Sequence, residues 1–155
     1  NYSLYLYGYL PPGILICCSA QVLYINLINF LSLSTDNGYK ILICDDDILI
    51  LHVYRKLLSM QGYDVVVCQS AVDIIAQVAM HQPHLILMDH NMPVVSGMQA
   101  IKQLKAHEQY KHIPLIYFST DIDLALLAKE SGADGYVSKS DKPEYLFTVI
   151  AAILK

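Results

Sequence analysis

From Lys40 onward, short apolar runs alternate with longer amphipathic stretches. Runs over 40–44, 63–68, 84–88, 114–118 and 135–137 are apolar along most of their length. Runs this short, bounded by turn residues, predict buried strands. Stretches over 48–61, 71–81, 97–108, 122–130 and 143–154 repeat their apolar positions at helical spacing and predict helices. Gln61-Gly62, Pro83, Pro114 and Ser131-Gly132 punctuate the pattern. Ser70 is placed to cap the second helix, and Asp141 to cap a fifth helix that opens on Pro143. Strands alternating with helices make βαβ units, hence a parallel sheet with helices on both faces.

Residues 1–35 are different. They contain no Lys, Arg, Asp, Glu or His, and 14–33 runs without a charge for twenty residues. That is long enough to span a bilayer as a helix. Its Ser, Gln and Asn content makes it a mediocre span, and no basic region precedes it as in a signal peptide. Two expectations stand: a membrane-associated segment with 14–33 as its anchor, or an extension incidental to function. Ser34-Thr35-Asp36-Asn37-Gly38 is turn-rich, so 1–39 is taken as extension plus linker and 40–155 as the folded domain.

The chain has 155 residues, is 55% hydrophobic and carries a net charge of −4 with no basic cluster, which argues against nucleic acid as a partner. Its four cysteines form no CxxC pair and have no His at zinc-finger spacing. Cys44 and Cys68 lie in apolar strand-like runs, where a free Cys behaves as a small hydrophobe. A reducing, cytoplasmic setting is expected for this part.

The chemistry concentrates at two strand ends. The first strand stops at Asp45-Asp46-Asp47 and the third at Asp89, followed by His90-Asn91-Met92-Pro93 and then Gly97. In parallel α/β sheets, ligands bind beyond the carboxyl ends of the strands, where the strand order reverses. Acids delivered there by two strands make one pocket of oxygen ligands, suited to a hard cation such as Mg2+. Alone, the Asp45–Asp47 run reads equally well as a solvated turn capping the next helix, and Asp47 is the best candidate for a plain cap. By the same standard Ser119 is a strand-end turn residue, Lys139 a surface lysine and Tyr136 a sheet aromatic. His90 is expected at the pocket rim, and the other histidines show no ligand spacing.

Four segments, ILICDDD, LILMDHNMP with Gly97, IPLIYFST and GADGYVSKS, occur in this order, each at the end of an expected strand. Together they resemble the receiver domain of two-component response regulators, of the chemotaxis-regulator type, over 40–155. The resemblance implies a doubly wound, flavodoxin-like five-stranded sheet in the order 2-1-3-4-5, an order the chemotaxis member is known for. It implies Asp89 as phosphoacceptor, forming 4-aspartylphosphate. It also implies Asp45, Asp46, Asp89 and the backbone carbonyl of Asn91 as ligands of Mg2+ (Mn2+ would serve in its place). Ser119 would donate its hydroxyl to the phosphoryl group, Lys139 would pair with Asp89 and then the phosphoryl oxygens, and Tyr136 would rotate as the switch aromatic. The donor would be a sensor histidine kinase or phosphotransfer protein. The output would be an effector bound at the face of the fourth helix, fifth strand and fifth helix. No enzyme activity is implied beyond Mg2+-dependent self-phosphorylation from a phosphodonor and autodephosphorylation.

Two departures stand out. Many receivers carry Lys-Pro, often cis, where this chain has Lys139-Ser140; before Ser a cis bond costs about 2.5–4 kcal/mol, so the expectation is a trans bond with an adjusted loop, or a cis bond under strain. Thr120 replaces a small residue and is expected to slow dephosphorylation. The chain ends at Lys155, directly after the fifth expected helix, which leaves no room for a DNA-binding output domain and suggests a stand-alone receiver or one cut from a larger protein. Two other functions compete. A phosphorylation-independent pseudo-receiver would act by binding alone, and would normally lack one of the site residues. A haloacid-dehalogenase-like phosphatase would want Asp where Asn91 stands.

Overall fold

A computed structural model describes residues 37–155. The extension expected over 1–39, including the possible anchor at 14–33, lies almost wholly outside those residues. Five strands alternate with five helices: β1 Lys40–Cys44, α1 Ile48–Met60, β2 Asp64–Cys68, α2 Ile74–His81, β3 Leu85–Met88, α3 Gly97–Ala106, β4 Leu115–Ser119, α4 Leu124–Ser131, β5 Gly135–Ser138 and α5 Pro143–Ile153. All neighbouring strands pair in parallel, in the order β2-β1-β3-β4-β5. This is the expected doubly wound sheet, with its reversal of strand order between β1 and β3.

Strand alternation divides the core between the two faces. Ile41, Ile43, Leu85, Leu87, Ile116 and Phe118 pack with Leu51, Tyr54 and Leu58 of α1 and Leu146 and Ile150 of α5. Leu42, Cys44, Ile86, Met88, Leu115 and Tyr117 pack on the other face with α2, α3 and α4. Each such side chain, fully buried, contributes about 1.5–3 kcal/mol. Because both faces are covered, β3, β4 and β1 beyond Lys40 are buried at every position, on both faces.

The helix ends refine the expectations. Asp47 caps α1, its carboxylate accepting from Leu49 N at 2.8 Å. Ser70 does not cap α2: its hydroxyl accepts from Val72 N in a turn, and the helix begins four residues beyond it at Ile74. Asp141 does not cap α5 either, since Lys142 holds that position and Asp141 instead accepts from Ser138 N at 3.3 Å. Pro143 opens α5 as expected. The Lys139–Ser140 bond is trans, and the loop closes through Ser140 N to Ser138 Oγ at 3.1 Å. Among the described residues, no helix is long and apolar enough to cross a membrane.

Candidate functional site

The register builds the site. Cys44 pairs with Met88, so the residues that follow them, Asp45 and Asp89, leave the sheet side by side. Both are buried, at 1% and 3% exposure, while Asp46 projects into solvent. Asp45, Asp46 and Asp89 offer carboxylate oxygens that all lie within 4.8 Å of one another.

Backbone donors orient the two buried acids. Asp47 N donates to Asp45 Oδ1 at 3.0 Å, and Asn91 N donates to Asp89 Oδ2 at 2.7 Å. The segment after Asp89 folds back so tightly that Gly97 N donates to His90 O at 3.0 Å. A Cβ at Gly97 would fall 1.7 Å from the Asp89 carbonyl oxygen, so this approach requires glycine.

Lys139 reaches the acids from the end of β5. Its Nζ donates to Asp89 Oδ1 at 2.7 Å and lies 2.5 Å from Asp45 Oδ2, with 10% of the side chain exposed. It is a buried counter-ion, and the surface-lysine alternative fails. Burial pushes the Asp45 carboxyl up from its ordinary value, against the pull of Lys139. Burial alone would lower the Lys139 ammonium, but the carboxylates of Asp45 and Asp89 outweigh it and raise its pKa. Asp45 Oδ2 meets Lys139 as an ion-pair partner but accepts no aligned hydrogen bond. Three carboxylates against one ammonium leave an excess of negative charge, and a buried oxygen has a free lone pair. That donor set fits a hard divalent cation.

Ser119 lies at the end of β4 with no exposure, and its hydroxyl donates to Asp121 Oδ2 at 2.8 Å. Asn91 Nδ2 lies 3.5 Å from the same oxygen. Thr120 is exposed beside it. Tyr136 is 48% exposed on β5, directly across from Tyr117 in register. His90 is half-buried at the rim, and its Nδ1 is hydrogen-bonded to the Tyr117 hydroxyl. Burial, with Asp121 and Asp89 adding to it, pushes the Tyr117 phenol up to about 12. The structure thus gathers every expected site residue around one sheet edge, with Tyr136 on its outer flank. Asp121 and Tyr117 were not foreseen. Their contacts to His90 and Asn91 join segments far apart in sequence, and only the acid two residues beyond Ser119 hinted at one of them.

The response regulator receiver domain model matches residues 41–151. The chain belongs to that family. The Polar-differentiation response regulator DivK of Brucella ovis is 31% identical over 114 residues, which cover 71% of this chain and 92% of the relative. The chemotaxis protein CheY4 of Vibrio cholerae shares the fold with a TM-score of 0.68 and 27% identity, covering 74% of this chain and 98% of that one. So does the receiver domain of sensor histidine kinase PA1611 from Pseudomonas aeruginosa, solved with a magnesium ion coordinated in its active-site cleft. Its TM-score is 0.69 at 21% identity, covering 75% of this chain and 97% of that one. As a receiver domain, this chain falls in the class that works with histidine kinases or phosphotransfer proteins and with downstream effectors, and that binds Mg2+ in an acidic pocket.

Proposed function

We propose that this receiver domain accepts a phosphoryl group on Asp89 from a sensor histidine kinase or phosphotransfer protein, with Mg2+ held by Asp45, Asp46, Asp89 and the backbone carbonyl of Asn91. The observation that carries this is the meeting of two buried acids and a buried lysine beside an exposed third acid. A pseudo-receiver has no use for that complete set, and nothing in the geometry favours that alternative or the phosphatase.

An Asp89 carboxylate oxygen forms a bond to phosphorus while the phosphorus–nitrogen bond of a phosphohistidine breaks, and the electron pair leaves with the imidazole. The protein's work is positioning and charge stabilisation. The bound Mg2+ supplies positive charge against the carboxylates and the incoming phosphoryl oxygens. Asn91 N fixes the rotamer of Asp89 through Oδ2, and Lys139 on Oδ1 is placed to follow charge onto the phosphoryl group. A phosphoryl group brings three acceptors and about two negative charges. Ser119 would exchange its Asp121 partner for one of those oxygens. Tyr136 would then turn inward from its exposed position beside β4.

The face of α4, β5 and α5 would change with it, and Ile122, Leu126 and Tyr145 are exposed in this region. An effector protein docking there would read the change. The cytoplasm, where kinases of this type hold their phosphohistidine, is the proposed location of residues 40–155.

Incubation with acetyl phosphate tests the reading. Incorporation should need Mg2+, stop on chelation and be released by hydroxylamine, as an acyl phosphate requires. Incorporation that survives chelation would contradict the Mg2+-dependent site, and none at all where Mg2+ binding is demonstrated would replace this reading with the binding-module one.

A further inference from the structure

Beside the acids, the sheet edge carries a second pair of reactive groups that the phosphoacceptor chemistry does not use. Cys44 and Cys68 end β1 and β2 and stand directly opposite each other in the parallel register. Their side chains share one face of the sheet, packed in the cluster that holds Leu42, Ile86 and Met88. Neighbouring strands run about 4.8 Å apart, inside the roughly 4.4–6.8 Å between Cα atoms that a disulfide spans, and toward its short end. Both thiols are free.

Access is unequal. Cys44 is 1% exposed, whereas Cys68 is half-buried, with Sγ 2.8 Å from Ser70 O. The pair is also tied to the acidic site, since Asp45 directly follows Cys44 and Asp45 N donates to Cys68 O at 3.0 Å.

We propose that Cys44 and Cys68 form a reversible disulfide under a peroxide-class oxidant, and that the bridge slows phosphorylation at the neighbouring site. The more accessible Cys68 reacts first. Its sulfur attacks one peroxide oxygen, the O–O bond breaks, and the products are Cys68 sulfenic acid and water. The Cys44 sulfur then attacks the Cys68 sulfur, the S–O bond breaks, and the thiol proton leaves with hydroxide as a second water. Two thiols are oxidised by two electrons and one hydrogen peroxide is reduced to two waters. A bridge at the short end of the allowed span is strained and therefore easily reduced, as a reversible modification requires. Closing it spreads the ends of β1 and β2 toward the roughly 5.5–6 Å that a disulfide prefers and displaces Asp45, and a misplacement of a fraction of an ångström costs about tenfold in rate.

The effect on phosphorylation rests on the proposed function; the bridge does not, so the two are measured separately. The full chain, which also carries Cys17 and Cys18, is treated with hydrogen peroxide and digested without reductant. The expected result is a cross-linked peptide joining Cys44 to Cys68, lost with dithiothreitol and absent from Cys68→Ser. Acetyl phosphate labelling should fall about tenfold in the oxidised wild type, recover on reduction and stay unchanged in peroxide-treated Cys68→Ser. A Cys68 that oxidises to sulfenic or sulfinic acid with no link to Cys44, or a thiol pair inert to peroxide, overturns the proposal. A bridged protein labelled as fast as the reduced one overturns its regulatory half. Cys68→Ala, at the same half-buried position, repeats the test should the serine variant fold poorly.

Discussion

Asp45 shows at one residue how a binding site and a stable fold compete. Its buried carboxyl titrates above its ordinary value because burial outweighs the Lys139 ion pair. An acid whose folded pKa exceeds its unfolded one costs stability when ionised, and that cost fades as pH falls through the raised pKa. Asp45→Asn keeps an oxygen for Asp47 N and removes the charge. In metal-free buffer at neutral pH it should be more stable than wild type, by about 1.4 kcal/mol for each unit by which the folded pKa is raised, with the difference shrinking on acidification. Urea unfolding across pH checks this, and a variant less stable at neutral pH would contradict it. Thr120 gives a second residue-scale prediction. It is exposed next to Ser119 and carries a branched side chain. Thr120→Ala should shorten the phosphoryl half-life by clearing the path of the attacking water; an unchanged or longer half-life counts against that role.

At the scale of elements, the loop from β3 to α3 carries the strain. Val94 sits at φ 69°, a left-handed conformation that a β-branched residue adopts only under constraint. Val94→Gly should stabilise the fold by about 1 kcal/mol. Gly97→Ala must push backbone off Asp89, so it should cost about 3 kcal/mol or more and lower labelling of Asp89 as well. Thermal melts of the two variants should therefore move in opposite directions. Elements were also where the sequence was most and least informative. β1 matches its expected span because both its faces are apolar and three acids end it. α2 starts later than its apolar pattern suggests, because the Ser70 hydroxyl bonds the backbone two residues on and holds a turn there. α4 begins at Leu124, later than the expected 122, with Asp121 already committed to Ser119. Acids at strand ends were legible because strands place them without help from elsewhere. The Asn91–Asp121 and His90–Tyr117 contacts were not, because they exist only once β3 and β4 lie together.

Across the whole molecule, a metal held at the proposed site would couple to folding. Two buried carboxylates and one exposed one gather where the sheet order reverses, and a cation bound there would favour the folded state alone. Free Mg2+ at a hundred times its dissociation constant should raise unfolding free energy by about 2.7 kcal/mol, and Asp45→Asn should lose most of that gain. An equal Mg2+ response in both proteins would place the cation elsewhere. The central claim is the acceptor itself. The most direct measurement is intact mass after incubation with Mg2+ and acetyl phosphate, wild type beside Asp89→Asn. This account predicts one added phosphoryl group on the wild type and none on the variant; the same added mass on Asp89→Asn would contradict it.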